Sequence, residues 1–416
     1  MTTATQAPVT DEKGHIDPAA SLVGAAGAAF VPVQTRSERP ASFDPAAFGV
    51  PTGQEVNWKH TPLNRLAPLL RDEPADEDAI TVTVTASGAE LAAPLREGEA
   101  PRGTVLIPED LPSAIASHRA DGAVHVRIPA EAELDEPVVV EVASAADAAT
   151  GELHRGILHV VIDAGAHSRA TVLLRHGGAV ALAENVEILV GEGAHLEIVT
   201  VQQWADEAVH AAAHAARVGR DGLLRHVVVS FGGGVVRVNP SVELAGAGSQ
   251  ALLYGLSFAD AGQHLESQVY LHHKGQNTVG DVLYKGALQG ASAHSVWIGD
   301  VLIGPDAVGT DSYEANRNLV LTDGARADSI PNLEIETGDI RGAGHASATG
   351  RFDDEQLFYL QARGIPEDEA RRLVVQGFLT EVVQKIDIPA LQEELTAAIE
   401  AELALTAGAT AAGASE

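Results

Sequence analysis

"VIDAGAHSRATV" (161–172) and "ILVGEGAHLEIV" (188–199) decide how the fold is read: an aliphatic run, a Gly/Ala corner, then a second aliphatic run. The pattern recurs in "VELAGAGSQALL" (242–253), "GALQGASAHSVW" (286–297), "VLIGPDAVGTDS" (301–312) and "LVLTDGARADSI" (319–330). Taking the corner alanines as markers, Ala166 to Ala194 spans about 28 residues, Ala194 to Ala247 about 53 and Ala247 to Ala291 about 44, and Ala307 and Ala325 follow after about 16 and 18. Such intervals suit one or two rungs of a β-solenoid, and a β-sandwich is the alternative that the pattern leaves open.

Composition points the same way. Aromatic residues make up 4% of the 416, against 45% hydrophobic residues overall and 41 glycines, so the interior must be built from small and β-branched side chains at close backbone spacing. The 27 basic and 58 acidic residues give a formal charge of -31, which repels phosphate backbones and anionic lipid and argues against nucleic-acid or membrane-surface binding. No run approaches the roughly 20 apolar residues of a membrane span, and "MTTATQAPVTDEKGHID" offers no basic n-region with a long apolar stretch. A cytoplasmic protein is expected. The absence of cysteine excludes disulfides, thiolate ligands and a thiol nucleophile.

The chain divides by texture. Residues 1–42, rich in Ala, Thr, Pro and Ser, read as a disordered leader, and 43–123 as a small α/β cap in which Pro51 and Pro62 break short helices, Trp58 and Leu63 offer anchors, and "AITVTVTA" is a strand. Residues 124–350 are the β-rich core, 351–404 a C-terminal helical segment and 405–416 a disordered tail. Asp353, with Gln356 three residues on, suits a helix N-cap, Leu357 and Leu360 an apolar stripe, and Gly364 a C-cap. A second helix starts at Pro366, carries Ala370, Leu373, Val374, Phe378, Val382 and Ile386 on one face, and is ended by Pro389. Leu391, Leu395, Ile399 and Leu403 mark a third.

Candidate chemistry is sparse. His210 and His214 in "HAAAH" have helical zinc-pair spacing, but the metalloprotease glutamate is missing, and on a strand the rings would lie about 13 Å apart. His272 and His273, adjacent on a strand, face opposite ways. "FGGGVV" (231–236) lacks the lysine and hydroxyl of a phosphate loop and reads as a turn between strands. Asn316, Asn318 and Asn332 suit turns or stacked ladders. His345, in "GAGHASATG" (342–350), remains as a metal-touching or partner-facing candidate, because small neighbours let a second backbone approach it.

"NWKHTPL" (57–63), "LYKGALQGASAHSVWIGDVLIGPDAVGTD" (283–311), "ANRNLVL" (315–321) and "PNLEIETGDIRGAGHASATGRFDDEQLFYLQARGI" (331–365) together resemble the SufB/SufD family of iron-sulfur cluster assembly proteins, most closely the SufD branch. The resemblance implies a mainly β fold, a right-handed parallel β-helix core between the N-terminal cap and the helical segment. It implies no enzyme activity, but a scaffold role beside a cysteine-bearing SufB-like paralogue and the SufC ATPase. The ATPase would dock on the C-terminal helices, for which Leu373, Val374 and Phe378 are candidates, and the two β-helices would meet near His345. Where the family often has Cys-Ser-His-Gly-Ala-Thr, this chain has Ala-Gly-His-Ala-Ser-Ala-Thr. Clusters are held mainly by thiolates, so the isolated chain is expected to bind none, and His345 is expected to contribute to an iron or cluster site shared with the partner. A homodimeric scaffold without the SufB-like subunit is the alternative. A carbohydrate-active β-helix is a further rival, disfavoured because no Asp, Arg or Lys cluster marks one solenoid face.

Overall fold

Parallel strands buried on both faces need not alternate in polarity, and this chain folds into a stack of them. The computed structural model describes residues 36, 39–144, 153–351 and 354–413, except for the side chains of 354–356, 368 and 404–413. Met1–Pro40 and Ala41–Glu416 are separate units; the first contributes only a few described residues, and all that follows belongs to the second. The expected leader and the proposed Asp353 cap with Gln356 lie almost wholly outside the described residues.

The N-terminal part of this unit has a 3-10 turn at Pro45–Ala47, helix α1 (Leu63–Leu66), strands β1 (Ile80–Thr85) and β2 (Glu90–Leu95), and helix α2 (Leu111–Arg119). Strands β3 (Ala123–Ile128) and β4 (Val138–Ser144) follow. Fourteen ten-residue strands then make about seven coils, two strands to each: β5 (Arg155–Ala164), β6 (Arg169–Gly178), β7 (Ala181–Val190), β8 (His195–Trp204), β9 (Val209–Val218), β10 (Leu223–Gly232), β11 (Val235–Leu244), β12 (Gln250–Ala259), β13 (His264–His273), β14 (Val279–Leu288), β15 (His294–Ile303), β16 (Asp311–Val320), β17 (Arg326–Ile335) and β18 (Gly342–Arg351). Even-numbered strands stack in one nine-stranded sheet with β1 at its start, and odd-numbered strands stack in a second with β2 at its start. From β3 and β4 onward all pairing is parallel, as a β-helix requires. The glycine-rich 231–236 stretch is the corner between β10 and β11.

A coil takes between 26 residues, with Arg169 beside His195, and 32, with His294 beside Arg326. Each coil has two corners, so the 16- and 18-residue intervals are half-coils and the 44-residue interval is about one and a half. The corner signal therefore marks sheets rather than whole rungs.

Three apolar clusters hold the layers together. One fills the lumen with Val160, Ile162, Leu174, Ile188, Ile198 and similar residues. Outside the odd-numbered sheet, Trp58, Leu66, Leu69, Leu111 and Ile115 pack on Ala183, Ala211 and Val235. Outside the even-numbered sheet, α4 (Glu367–Val383) and α5 (Pro389–Gly413) cover Val199, Val227, Val229, Phe231, Leu256 and Phe258; α3 (Asp354–Gln361) precedes them. The buried face of α4 is Ala370, Val375, Leu379, Val382 and Val383, with Ile386 just beyond it, so the expected stripe through Leu373 and Val374 is corrected by about a third of a turn. Pro389 does not end that helix: α4 stops at Val383, and Pro389 opens α5, where a missing N–H costs nothing. Leu391, Leu395 and Ile399 are buried as the spacing indicates, and α5 continues to Gly413 through an alanine-rich stretch.

The "NWKHTPL" motif is an anchor. The Asn57 carbonyl accepts hydrogen bonds from Arg237 Nη2 (3.2 Å) and Gln268 Nε2 (2.7 Å), Trp58 lies under the Arg237 guanidinium at 4.1 Å, and Thr61 Oγ1 donates to Glu266 (2.8 Å). Burial alone would raise the Glu266 carboxyl, but His264, Arg237 and Gln268 hold it down at about 2. His60, 3.4 Å from Asp328, ties the same segment to β17. Among the described residues no helix is long and apolar enough to cross a membrane.

Candidate site at the open end of the solenoid

The two ends of the solenoid differ. At the first, β1 runs antiparallel to β4 and β2 antiparallel to β3, so short strands break the parallel ladder. At the other, β17 and β18 are the last strands of their sheets; β18 is exposed along most of its length, and among the described residues no further strand pairs with its outer edge. The lumen therefore ends in a mouth.

The lining of the lumen also changes toward that mouth. One inward register position reads His176 beside Gln202, then Ser230, Ser257, Gly286, Asn318 and finally Thr349. Ser230 Oγ donates to Gln202 (3.2 Å), Asn318 Nδ2 to Asn316 (2.7 Å) and Ser347 Oγ to Ser329 Oγ (2.9 Å), the last joining β18 to β17. Asn316 and Asn318 are thus lumenal ladder residues, and Asn332 on β17 donates to Asp300 (2.8 Å). Gly255 and Gly299 are required here. A Cβ at Gly255 would fall 2.0 Å from the Tyr284 ring, and one at Gly299 would fall 2.2 Å from Trp297 and 2.3 Å from Glu314 Oε2.

His345 stands at this mouth. It is beside Glu314 in the β16/β18 ladder, its side chain is 46% exposed, and its Nδ1 lies 3.9 Å from Glu314 Oε1. The Glu314 side chain is 1% exposed, and neither of its carboxyl oxygens has a hydrogen-bond partner. Burial, with the Asp300 charge nearby, pushes its pKa up to about 8. A buried carboxyl without a partner is costly, and here it faces the imidazole singled out from sequence. Gly344 lies against the Tyr313 ring, where a Cβ would meet ring carbons at 3.2 Å, so the backbone beside His345 is close to a neighbouring side chain.

The other histidines take structural places. His210 and His214 lie on a strand, and each has a different neighbour: His214 Nδ1 is 3.0 Å from His226 Nε2, and burial lowers the His214 pKa to about 4. His210 joins His176 and Glu184 in a fully buried cluster whose ligand-type atoms lie within 4.8 Å of one another. The sequence pattern missed this group because its members sit on β6, β7 and β9 and meet only across the lumen. The hydrogen bonds fill it without a metal. Trp204 Nε1 donates to His210 Nδ1 (3.2 Å), which leaves the proton on Nε2, 3.0 Å from Glu184. His176 has Val201 O at 3.3 Å on one nitrogen and Glu184 at 3.1 Å on the other. A metal on His210 Nε2 would break the tryptophan bond. Burial would raise Glu184, but the paired histidines keep it well below the usual carboxylate range. His272 and His273 face opposite sides as expected, His273 toward Ser312 in the lumen (3.0 Å).

Of the partner candidates, Leu373 is 41% exposed, Val374 half-buried, and Phe378 half-buried under Lys285 Nζ at 4.5 Å. Sequence reasoning passed over Phe358 (72% exposed) and Tyr359 (56%) on α3, which precedes and packs on α4.

Residues 147–378 match the family described as "SUF system FeS cluster assembly, SufBD core domain". The chain is 48% identical over 372 residues to an iron-sulfur cluster assembly SufBD family protein of Mycobacterium tuberculosis (strain H37Rv), covering 88% of this chain and 92% of that one. It is 45% identical over 374 residues to the corresponding Mycobacterium leprae protein, covering 88% and 94%. A Staphylococcus saprophyticus member is 29% identical over 194 residues, covering 47% of this chain and 41% of that one. A parallel β-helix with this motif set and these relatives belongs to the SufBD family of iron-sulfur cluster assembly proteins.

Proposed function

We propose that this chain is the SufD-like, auxiliary half of a two-paralogue scaffold, without catalysis of its own, acting in the cytoplasm beside a cysteine-bearing SufB-like subunit and a SufC-type ATPase. The supporting observation is the open end of the solenoid, where His345 stands half-exposed at a polar mouth beside an uncapped strand edge, in a chain without a single cysteine. A parallel edge of this kind is a template for a second β-helix. Thiolates for iron or a nascent cluster then come from the partner, and His345 adds an imidazole from this side. The exposed apolar group of Leu373, Phe358 and Tyr359 supports a dock for the ATPase on the C-terminal helices.

The test is anaerobic reconstitution followed by visible absorption. The isolated chain is expected to develop no stoichiometric cluster bands, and the three-protein complex is expected to develop them. His345→Ala is expected to leave complex formation intact and to reduce cluster yield strongly, while Phe231→Leu, a conservative change in the layer under α4 and α5, should leave the yield unchanged. Cluster bands on the isolated chain, or a normal yield with His345→Ala, would sink the reading.

A further inference from the structure

On the outside of the odd-numbered sheet two histidines meet nitrogen to nitrogen. Leu265 belongs to the lumenal cluster, so its chain neighbours His264 and Glu266 face outward. His264 on β13 and His294 on β15 are ladder neighbours, their rings meet edge to face, and their Nδ1 atoms are 3.1 Å apart. On its far side each ring meets a carboxylate: His264 Nε2 lies 2.9 Å from Glu266 Oε2, and His294 Nε2 lies 2.7 Å from Asp328 Oδ2. Both ends of this file return to the "NWKHTPL" segment. Thr61 Oγ1 donates to the same Glu266 oxygen (2.8 Å), and His60 Nδ1 is 3.4 Å from the same Asp328 oxygen.

The number of acceptors fixes the charge of the pair. A carboxylate only accepts hydrogen bonds, so each Nε2 must carry a proton. Glu266 is held down by the partners given above, and Asp328, which burial alone would raise, is kept below its usual range by Arg326 and His294. Two neutral rings would then set lone pair against lone pair across 3.1 Å, whereas one further proton turns the contact into a hydrogen bond. A second would set cation against cation. Burial lowers the His294 pKa against the pull of Asp328, and a charged His264 lowers it further, so the rings titrate as a unit that takes one proton and resists another. The surrounding charges match. Glu266, Asp328 and Asp110 stand against Arg237 and Arg326, which leaves one negative charge for that proton to balance, and His60 is the remaining titratable group beside Asp328.

We infer that His264 and His294 share one proton at neutral pH, and that this proton works a clasp joining β13, β15 and β17 to residues 57–63. With it in place the file is closed from Thr61 through both rings to His60. Without it, one ring must turn and lose its carboxylate. Within its sheet β17 pairs only with β15, so the strand released is the one that borders the mouth. Rings freed by opening titrate near 6.5, so the clasp is intact at that pH and is lost as pH rises toward the folded midpoint, its opening constant growing by up to about tenfold per pH unit. None of this depends on the role given to His345.

The test uses the full chain with ¹⁵N-labelled histidine. At pH 7 the pair is expected to show both Nε2 atoms protonated, one proton divided between the two Nδ1 atoms, and a far-downfield N–H–N proton signal. That signal should vanish in His264→Gln and in His294→Gln. Asp328→Asn, which keeps an acceptor oxygen without the charge, should retain the signal and lower the pH at which the shared proton leaves; the His294 resonances it moves are thereby assigned even where a glutamine variant folds poorly. Hydrogen exchange gives a second reading. After correction for intrinsic rates, protection of β17 and of residues 57–63 should fall by up to about tenfold per pH unit above 6.5 in the wild-type chain, and His294→Gln should lose that dependence. Two neutral rings at pH 7 in the wild-type chain, or protection of β17 with the same pH dependence in the wild type and in His294→Gln, would overturn the clasp.

Discussion

His273 lies in the lumen with Nδ1 2.8 Å from Thr278 Oγ1 and Nε2 3.0 Å from Ser312 Oγ, an arrangement that satisfies a neutral ring. Burial, with His272 adding to it, lowers its pKa to about 3, and burial lowers that of His214 to about 4. Both folded values lie below the unfolded one, so the unfolded chain binds the extra protons as pH falls from about 6.5, and native stability present above that pH is lost down to the folded values. Each ring contributes a slope of at most about 1.4 kcal/mol per pH unit. Denaturant titrations between those limits should therefore show stability falling on acidification before most carboxylates titrate. His273→Gln, which can still bond to one hydroxyl, should flatten the slope. An unchanged slope in that variant would mean that His273 is already charged in the folded protein. The same principle of burial without charge separates these lumenal histidines from His345, whose ring reaches solvent.

At the scale of elements, α4 has two faces of different meaning. Leu379 is fully buried against the even-numbered sheet, whereas Leu373 is exposed. Leu379→Ala should cost about 2 to 5 kcal/mol through lost burial and a residual cavity, while Leu373→Ala should change stability by about 0.5 kcal/mol or less. If the α3/α4 surface receives the ATPase, co-purification should weaken in Leu373→Ala with Phe358→Ala while the melting temperature holds. Retained co-purification would move the dock elsewhere. Sequence gave the existence of these helices but misplaced the buried stripe, because Val374 and Val375 are equally apolar and only the sheet beneath decides which is covered. The strands were legible for a similar reason with the opposite outcome: Gly/Ala corners recur after one or more half-coils of variable length, whichever face is buried. What could not be read was the pairing of Glu314 with His345, since their separation of 31 residues carries meaning only once the register of β16 with β18 is known. The His176, Glu184 and His210 group was hidden likewise, being assembled across the lumen from strands in both sheets.

From Ala41 onward the chain is a layered stack in which the solenoid cannot be separated cleanly from its coverings. Nearest-neighbour coils stabilise one another through the lumenal cluster, which favours survival of the strands when a terminal segment is removed. The even-numbered sheet, however, carries a second apolar surface on its outside, with Leu173, Val199, Val229, Phe231, Leu256 and Phe258 all buried in one cluster with residues of α4 and α5. Ion pairs fasten the same cover: Arg175 to Glu394 at 2.6 Å, and Lys285 to Glu381 at 2.5 Å. A chain ending at Ile365 should keep β-rich circular dichroism, since the ladders are intact, and at the same time bind a hydrophobic dye and self-associate through the uncovered face. The full chain, with its charge of -31, should do neither at the same concentration. Restoring residues 366–416 as a separate polypeptide should suppress the dye signal if the layer is held by the contacts described. A truncated chain that stays monomeric and dye-silent would mean that the outer face is not exposed by loss of the helices, and the three-layer account of stability would have to be abandoned.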